Sequence, residues 1–165
     1  MLGVDPGTAT TGYGVVERGG GGVVTLLECG VVRTRTASPL ADRLRQIHDG
    51  LGEVLTRHAV EAVAVEGVFY AKNVRTTVIL GHARGAILLA AALRELPVFE
   101  YSPAEIKNAV AGTGRATKEQ VQFMVQRLLR LRTAPSPADA ADGVAVALCH
   151  CSAGVIAARI GAVQR

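Results

Sequence analysis

The chain has no tryptophan, and only three Phe and three Tyr among its 165 residues. Its interior must therefore be assembled from Ala, Val and Leu. Cysteine is sparse and odd in number (Cys29, Cys149, Cys151). With 49% hydrophobic residues to build a core, that count excludes a disulfide framework. Nor does Cys149-His150-Cys151 offer a chelate. On a helix, positions i and i+2 point about 200° apart, so both thiols are expected as buried helix residues. No run of 18 apolar residues is free of charge, so no membrane span is expected. The first residues already read as a strand, which leaves no room for a signal peptide and makes the cytoplasm the expected location. Lysine is scarce too, at three against 15 Arg. Lys72, Lys107 and Lys118 thus stand out as compact charges in an Arg-rich chain.

With neither repeat nor linker, residues 1–165 read as a single domain. Residues 2–5, 11–17 and 23–34 form three predicted strands, the last two joined by a turn at Gly19-Gly20-Gly21-Gly22. A helix is expected over about 39–58, with Leu40, Leu44, Ile47, Leu51, Val54 and Leu55 on one face. A fourth strand follows at 60–66, a helix at about 74–94 and a fifth strand at 97–101. Ser102-Pro103 starts a helix to about 111. Thr117 caps another to about 131, and Ser136-Pro137 starts the last, to about 160. Three antiparallel strands and then alternating helix and strand imply an α/β fold. It is a mixed five-stranded sheet with helices on both faces, in the element order of the RNase H-like fold.

Four acids sit where this order could gather them. Asp5 ends the apolar run Leu2-Gly3-Val4, before Pro6-Gly7. Glu66 ends Ala62-Val63-Ala64-Val65. Asp139 and Asp142 lie one turn apart on one helix face. Each also has a plain explanation: a turn residue at Asp5, a polar strand end at Glu66, and a near capping box of Ser136, Pro137 and Asp139 as N-cap, N1 and N3. If the fourth strand lies beside the first and the last helix packs over both, all four meet. Acids beside an apolar core are costly unless neutralised, and a divalent cation would serve, pointing to phosphodiester chemistry. The net charge of +4 includes these acids, so the remaining surface is more basic and suits a polyanion.

Smaller features add to this. Thr11-Gly12-Tyr13-Gly14 would let a backbone or a phosphate come close. Phe69, Tyr70, Lys72 and Arg75 interleave aromatic and basic groups in one loop, a pattern for base stacking with phosphate contact, or else a core-packing pair. Gly81 and Gly85 within Gly81-His82-Ala83-Arg84-Gly85 permit close helix packing, inside the monomer or across a dimer. His48, His58 and His150 are expected at the surface or at helix ends. The opening Asp-x-Gly-Thr hairpin also resembles the phosphate loop of the sugar kinase, Hsp70 and actin superfamily, which needs a duplicated fold and about twice this length. A further alternative is a junction-binding domain without catalysis, its acids being caps and turns.

Together, Gly3-Val4-Asp5-Pro6-Gly7-Thr8 with Thr11-Gly12-Tyr13-Gly14, Glu66-Gly67-Val68-Phe69-Tyr70-Ala71-Lys72-Asn73, Gly81-His82-Ala83-Arg84-Gly85, Leu96-Pro97-Val98-Phe99-Glu100-Tyr101 and Ala138-Asp139-Ala140-Ala141-Asp142 resemble the RuvC family of crossover-junction endonucleases. The likeness runs in order over nearly the whole chain. It implies an RNase H-like fold and a homodimer that resolves Holliday junctions in recombination and repair, working with a branch-migration helicase of the RuvA and RuvB type. Its paired nicks leave 5′-phosphate and 3′-hydroxyl ends. By motif match, Asp5, Glu66, Asp139 and Asp142 are expected to hold two Mg²⁺ ions, with Mn²⁺ as an alternative. Lys107 and Lys118 are expected at the phosphate near the cut, and Phe69 at junction bases. Tyr70, Lys72, Arg75 and Arg115 are expected as further DNA contacts. The family often carries a longer basic tail than Gln164-Arg165, so no DNA contact from a tail is expected.

Overall fold

The computed structural model describes residues 1–67 and 74–163, with side chains up to residue 152. The elements run β1 (Leu2–Asp5), β2 (Thr10–Arg18), β3 (Val24–Arg33), α1 (Leu40–Arg57), β4 (Val63–Glu66), α2 (Val74–Ala92), β5 (Val98–Tyr101), α3 (Pro103–Ala111), α4 (Lys118–Leu128) and α5 (Ala138–Val163). The strands form one sheet ordered β3-β2-β1-β4-β5. The first three are antiparallel, and β4 and β5 continue parallel to β1. This is the mixed RNase H-like sheet that the element order implies.

Strand alternation divides the side chains between two helical layers. Leu2, Val4, Val15, Val63 and Val65 pack with Ile47, Leu51 and Val54 of α1 and Ile87 of α2. Val16 and Ala64 pack with Ile106, Val125, Val144 and Ala147 of α3, α4 and α5. Full burial of each such Val, Leu or Ile side chain contributes about 1.5–3 kcal/mol. The same alternation sends Asp5 and Glu66, one step beyond Val4 and Val65, to the α3–α5 face.

Helix α5 lies directly on β1 and β2. Its residues Val144 to Cys149 are all buried, as befits a helix apolar all round. It comes this close because the facing positions are glycines. A methyl at Gly3 would run into Ala147 and the Gly143 carbonyl oxygen, one at Gly12 into the Asp139 carbonyl oxygen, and one at Gly14 into Val144. From the helix side, a Cβ on Gly143 would stand 2.5 Å from Tyr13 Cα. The close approach expected at Gly12 and Gly14 is thus made by the backbone of α5.

Several boundaries differ from the sequence expectation. Strand β4 begins at Val63, because Val60 N–H turns back to the His58 carbonyl oxygen (2.9 Å). Helix α4 ends at Leu128, closed by Leu131 N–H on the Gln126 carbonyl oxygen (2.9 Å), with Arg130 at φ 53°. Helix α2 stops at Ala92, and Glu95 takes φ 56°. Helix α5 starts at Ala138, which makes Asp139 its second residue and not the third of a Ser136 capping box.

Helix α2 is long and apolar enough to cross a membrane by length and composition alone. Its inner face, Ala83, Ile87, Ala90 and Ala91, belongs to the core. Its outer face exposes Val74, Val78 and Leu89. A methyl at Gly81 or Gly85 would meet nothing within 4 Å, so neither glycine serves close packing against the described residues.

On the α1 side, Glu28 of β3 gathers three partners. Its Oε1 accepts from Tyr13 Oη at 2.8 Å and Arg57 Nη2 at 2.6 Å, and its Oε2 lies 2.7 Å from His58 Nε2. The Arg57 hydrogen bond, with those of His58 and Tyr13, holds the Glu28 carboxyl down at about 2 against the opposing effect of burial. A depressed carboxyl stabilises the fold above its unfolded value, and that stability is lost as pH falls toward the folded one. The expected result is that Glu28→Gln melts a few degrees below wild type at pH 7, and that the gap closes as pH falls from about 4.5 towards 2. Thermal melts across that range check it, and a gap independent of pH would assign the effect to packing.

Candidate metal and phosphate site

Each acid of the site ends or opens an element. Asp5 closes β1 and Glu66 closes β4. The strands are adjacent and parallel, with Val4 paired to Val65, so Asp5 and Glu66 are the next pair in register. Helix α5 brings Asp139 and Asp142 down on them from its first two turns. One carboxylate oxygen each from Asp5, Asp139 and Asp142 lie within 4.8 Å of one another. Glu66 stands outside that group of three, yet lines the same cavity of about 240 Å³ with Asp5, Asp142, Lys107 and Lys118. Ile106 and Val121 form its apolar wall.

The two lysines reach the cavity from capped helix starts. Ser102 caps α3, donating its N–H to Glu105 Oε2 (2.7 Å) while its Oγ accepts from Glu105 N–H (3.2 Å). Lys107 follows one turn later. Thr117 caps α4 with Gln120 in the same reciprocal way (2.8 and 3.3 Å), which places Lys118 at the first helical position. Lys118 Nζ lies 2.6 Å from Asp142 Oδ2 and 3.8 Å from Asp139 Oδ1.

Electrostatics mark this as a cation site. Burial, then the charges of Glu66 and Asp142, push the Asp5 carboxyl up to about 7, with Lys118 opposing. Burial and Asp142 raise Glu66, with Lys107 and Lys118 opposing. The hydrogen bond to Asp142 raises Lys118. Two ammonium groups thus only partly neutralise four acids. Raised carboxyls of this kind are what a bound cation reverses. The donors are all carboxylate oxygens, with no thiolate or imidazole among them. Such a set fits Mg²⁺ or Mn²⁺ better than zinc.

Other expected residues fall elsewhere. Arg115 is exposed in the α3–α4 connection, and Arg75 is exposed in the first turn of α2; neither lines the cavity. Phe69, Tyr70 and Lys72 lie outside the described residues. Cys149 and Cys151 are buried, as expected for helix thiols. His150 accepts or donates a 2.8 Å hydrogen bond with Tyr101 Oη and packs 4.4 Å from the Phe99 ring, far from a ligand role. The sequence reading missed Thr11, Thr34 and Arg43, which hold the turn after Asp5. The available signal was Thr11 four residues beyond Gly7 across a tight turn.

Comparison with known proteins agrees with this geometry. The family model described as Crossover junction endodeoxyribonuclease RuvC matches residues 1–150. A protein of that name from Pelotomaculum thermopropionicum is 52% identical over 150 residues, covering 91% of each chain. The solved Thermus thermophilus RuvC structure superposes with a TM-score of 0.86 at 40% identity, covering 95% of this chain and 97% of that one. A second Thermus thermophilus RuvC structure, in complex with Holliday junction substrate, gives 0.85 at 37% identity, with 94% and 96% covered.

Proposed function

This chain belongs to the RuvC family of crossover junction endodeoxyribonucleases, and on that premise we propose that it resolves four-way DNA junctions by paired hydrolytic nicks at the Asp5, Glu66, Asp139 and Asp142 site. The observation that carries the reading is the convergence of Asp5, Asp139 and Asp142 oxygens within 4.8 Å beside two lysines. Acids so gathered suit a metal-dependent nuclease. The four would hold two divalent ions: Asp5, Asp139 and Asp142 by the oxygens that converge, and Glu66 from the wall of the same cavity. When bound, Mg²⁺ or Mn²⁺ supplies Lewis acidity at the phosphoryl oxygens and lowers the pKa of a water.

The chain's own groups do the rest. Lys107 and Lys118 hold the phosphate at the cavity mouth and offset its charge. Ile106 and Val121 keep one wall dry, which strengthens those interactions. Water oxygen bonds to phosphorus, the bond from phosphorus to the 3′ oxygen breaks, and the products carry 5′-phosphate and 3′-hydroxyl ends. No histidine is needed as base.

Selection of a junction rests on shape, since junction and duplex share their bases. Lys72, Arg75, Lys107, Arg115 and Lys118 are proposed to meet phosphates of diverging arms, and Phe69 and Tyr70 to stack on bases at the crossover. Paired cuts need two sites, so we assign the working form as a homodimer. The exposed stripe Val74, Val78, Gly81, Gly85 and Leu89 recurs at helical spacing on α2 and supports that contact. Gly85→Leu is expected to shift the protein towards monomer, as light scattering at micromolar concentration would register. An unchanged dimer would move the contact elsewhere. A branch-migration helicase of the RuvA and RuvB type is the proposed partner, and the cytoplasm the proposed place of action, because the substrate is DNA.

The deciding test incubates the protein and Mg²⁺ with a mobile four-way junction and with a duplex of the same sequence. Paired symmetric nicks in the junction alone are expected. Equal cutting of the duplex, or none of either, would overturn the reading.

A further inference from the structure

The turn after Asp5 is held by its carbonyl oxygens. Three successive ones, those of Gly7, Thr8 and Ala9, are each captured. Thr11 Oγ1 donates to the Gly7 carbonyl oxygen at 2.7 Å. Thr34 Oγ1 donates to that of Thr8. Thr34 N–H donates to that of Ala9 at 3.0 Å. Arg43 of α1 backs this up, its Nε donating to Thr34 Oγ1 at 3.1 Å. The turn has little room to shift, since a methyl on Gly7 would run into the Thr10 carbonyl oxygen.

Thr11 is fully buried, and no other polar side chain among the described residues reaches the buried class. It shares the α1 face of β2 with Tyr13 and Val15, behind the sheet from the acids. It therefore cannot touch a cation or a phosphate. A buried hydroxyl costs stability unless bonded, and this one has a single recorded acceptor, the turn that begins at Asp5.

We propose that Thr11, with Thr34, is a positioning residue of the metal site: the two threonines lock the 6–9 turn from behind and so fix the Asp5 carboxylate against Asp139 and Asp142. The inference rests on the nuclease reading, since it assigns Asp5 as a cation ligand. Asp5 is the last residue of its strand, with backbone support on one side from the ladder to Gly12. Past Asp5 the chain leaves the strand, and there the lock supplies the support. Without it the carboxylate can swing, and the cation loses a ligand that is charged and in place.

The test compares Thr11→Val, which keeps the shape and removes the donor, with Thr11→Ser, which restores it. Mn²⁺ binding to the DNA-free protein is measured by calorimetry. Melting temperature and four-way junction binding in EDTA are measured beside it. Thr11→Val is expected to weaken Mn²⁺ roughly tenfold, the usual scale for a group that orients a ligand, with junction binding in EDTA within about twofold. Thr11→Ser is expected to recover most of the loss. If Thr11→Val fails to fold, Thr34→Val carries the comparison, because it frees Thr8 while leaving the Ala9 bond. A lower melting temperature with unchanged Mn²⁺ affinity in the folded variant would overturn the proposal and leave Thr11 as a structural residue. Wild type that binds no Mn²⁺ and cuts no junction would instead refute the nuclease reading.

Discussion

Asp5→Asn, Glu66→Gln and Asp142→Asn are each expected to lower junction cleavage by roughly 10² or more while leaving junction binding within a few-fold of wild type. Each change removes a negative charge from the group proposed to gather the cations, whose stabilisation of the transition state is several kcal/mol. At about 1.4 kcal/mol per decade, loss of even half of that accounts for the drop. Binding should survive because the proposed phosphate contacts come from lysines and arginines. Asp139→Asn should behave alike, with some added loss of stability from its place in the first turn of α5. Cleavage assays paired with binding titrations check this. Near wild-type cutting by Asp5→Asn would sink the assignment.

Asp5 carries a second signature. Its carboxyl is raised to about 7 by burial and by Glu66 and Asp142. A raised group contributes stability that is complete below its unfolded pKa, near 4, and lost as pH rises through about 7. Metal-free wild type should therefore be strained at pH 8 relative to pH 5, and Asp5→Asn should melt higher than wild type at pH 8. A residue whose removal stabilises the fold and abolishes activity is held for function. Saturating Mg²⁺ should erase the advantage, since the cation neutralises the same acids.

Asp5 and Glu66 were legible in the sequence because each follows a run whose period is plain. Leu2-Gly3-Val4 and Val63-Ala64-Val65 are strands by their branched residues, and alternation then fixes the face of Asp5 and Glu66. The capped starts of α3 and α4, at Ser102 and Thr117, were legible for the same local reason. Helix ends were harder. Arg130 and Glu95 take positive φ with no glycine to announce it, so the predicted helices overran. Thr11 looked like any strand threonine, since its acceptor is a backbone carbonyl that composition does not reveal. The glycine seam under α5 was half visible. The small residues on β2 could be read, but not which backbone would lie on them, because an evenly apolar helix has no polar face to orient it.

That seam yields the other large expected effect. Gly12→Ala and Gly14→Ala should each cost about 3 kcal/mol or more and lower the melting temperature by roughly 6–12 °C. The reason is geometric. A methyl on Gly12 would occupy the place of the Asp139 carbonyl oxygen, and one on Gly14 that of Val144. Neither obstacle is the free end of a flexible side chain, so α5 must lift from the sheet. Lifting opens the contacts of Val144 and Ala147 with Val16 and Ala64, and carries Asp139 and Asp142 away from Asp5. Cleavage should therefore fall even at temperatures where the variants remain folded. Gly20→Ala supplies the control. Gly20 lies in the β2–β3 connection, where a methyl would meet nothing within 4 Å and the backbone is outside the left-handed region. Its melting temperature should stay near that of wild type. Thermal melts of the three variants, with cleavage measured well below each midpoint, separate the outcomes. If Gly12→Ala melted like Gly20→Ala and cut junctions normally, α5 would not be held by the seam, and the acids would owe their convergence to something else.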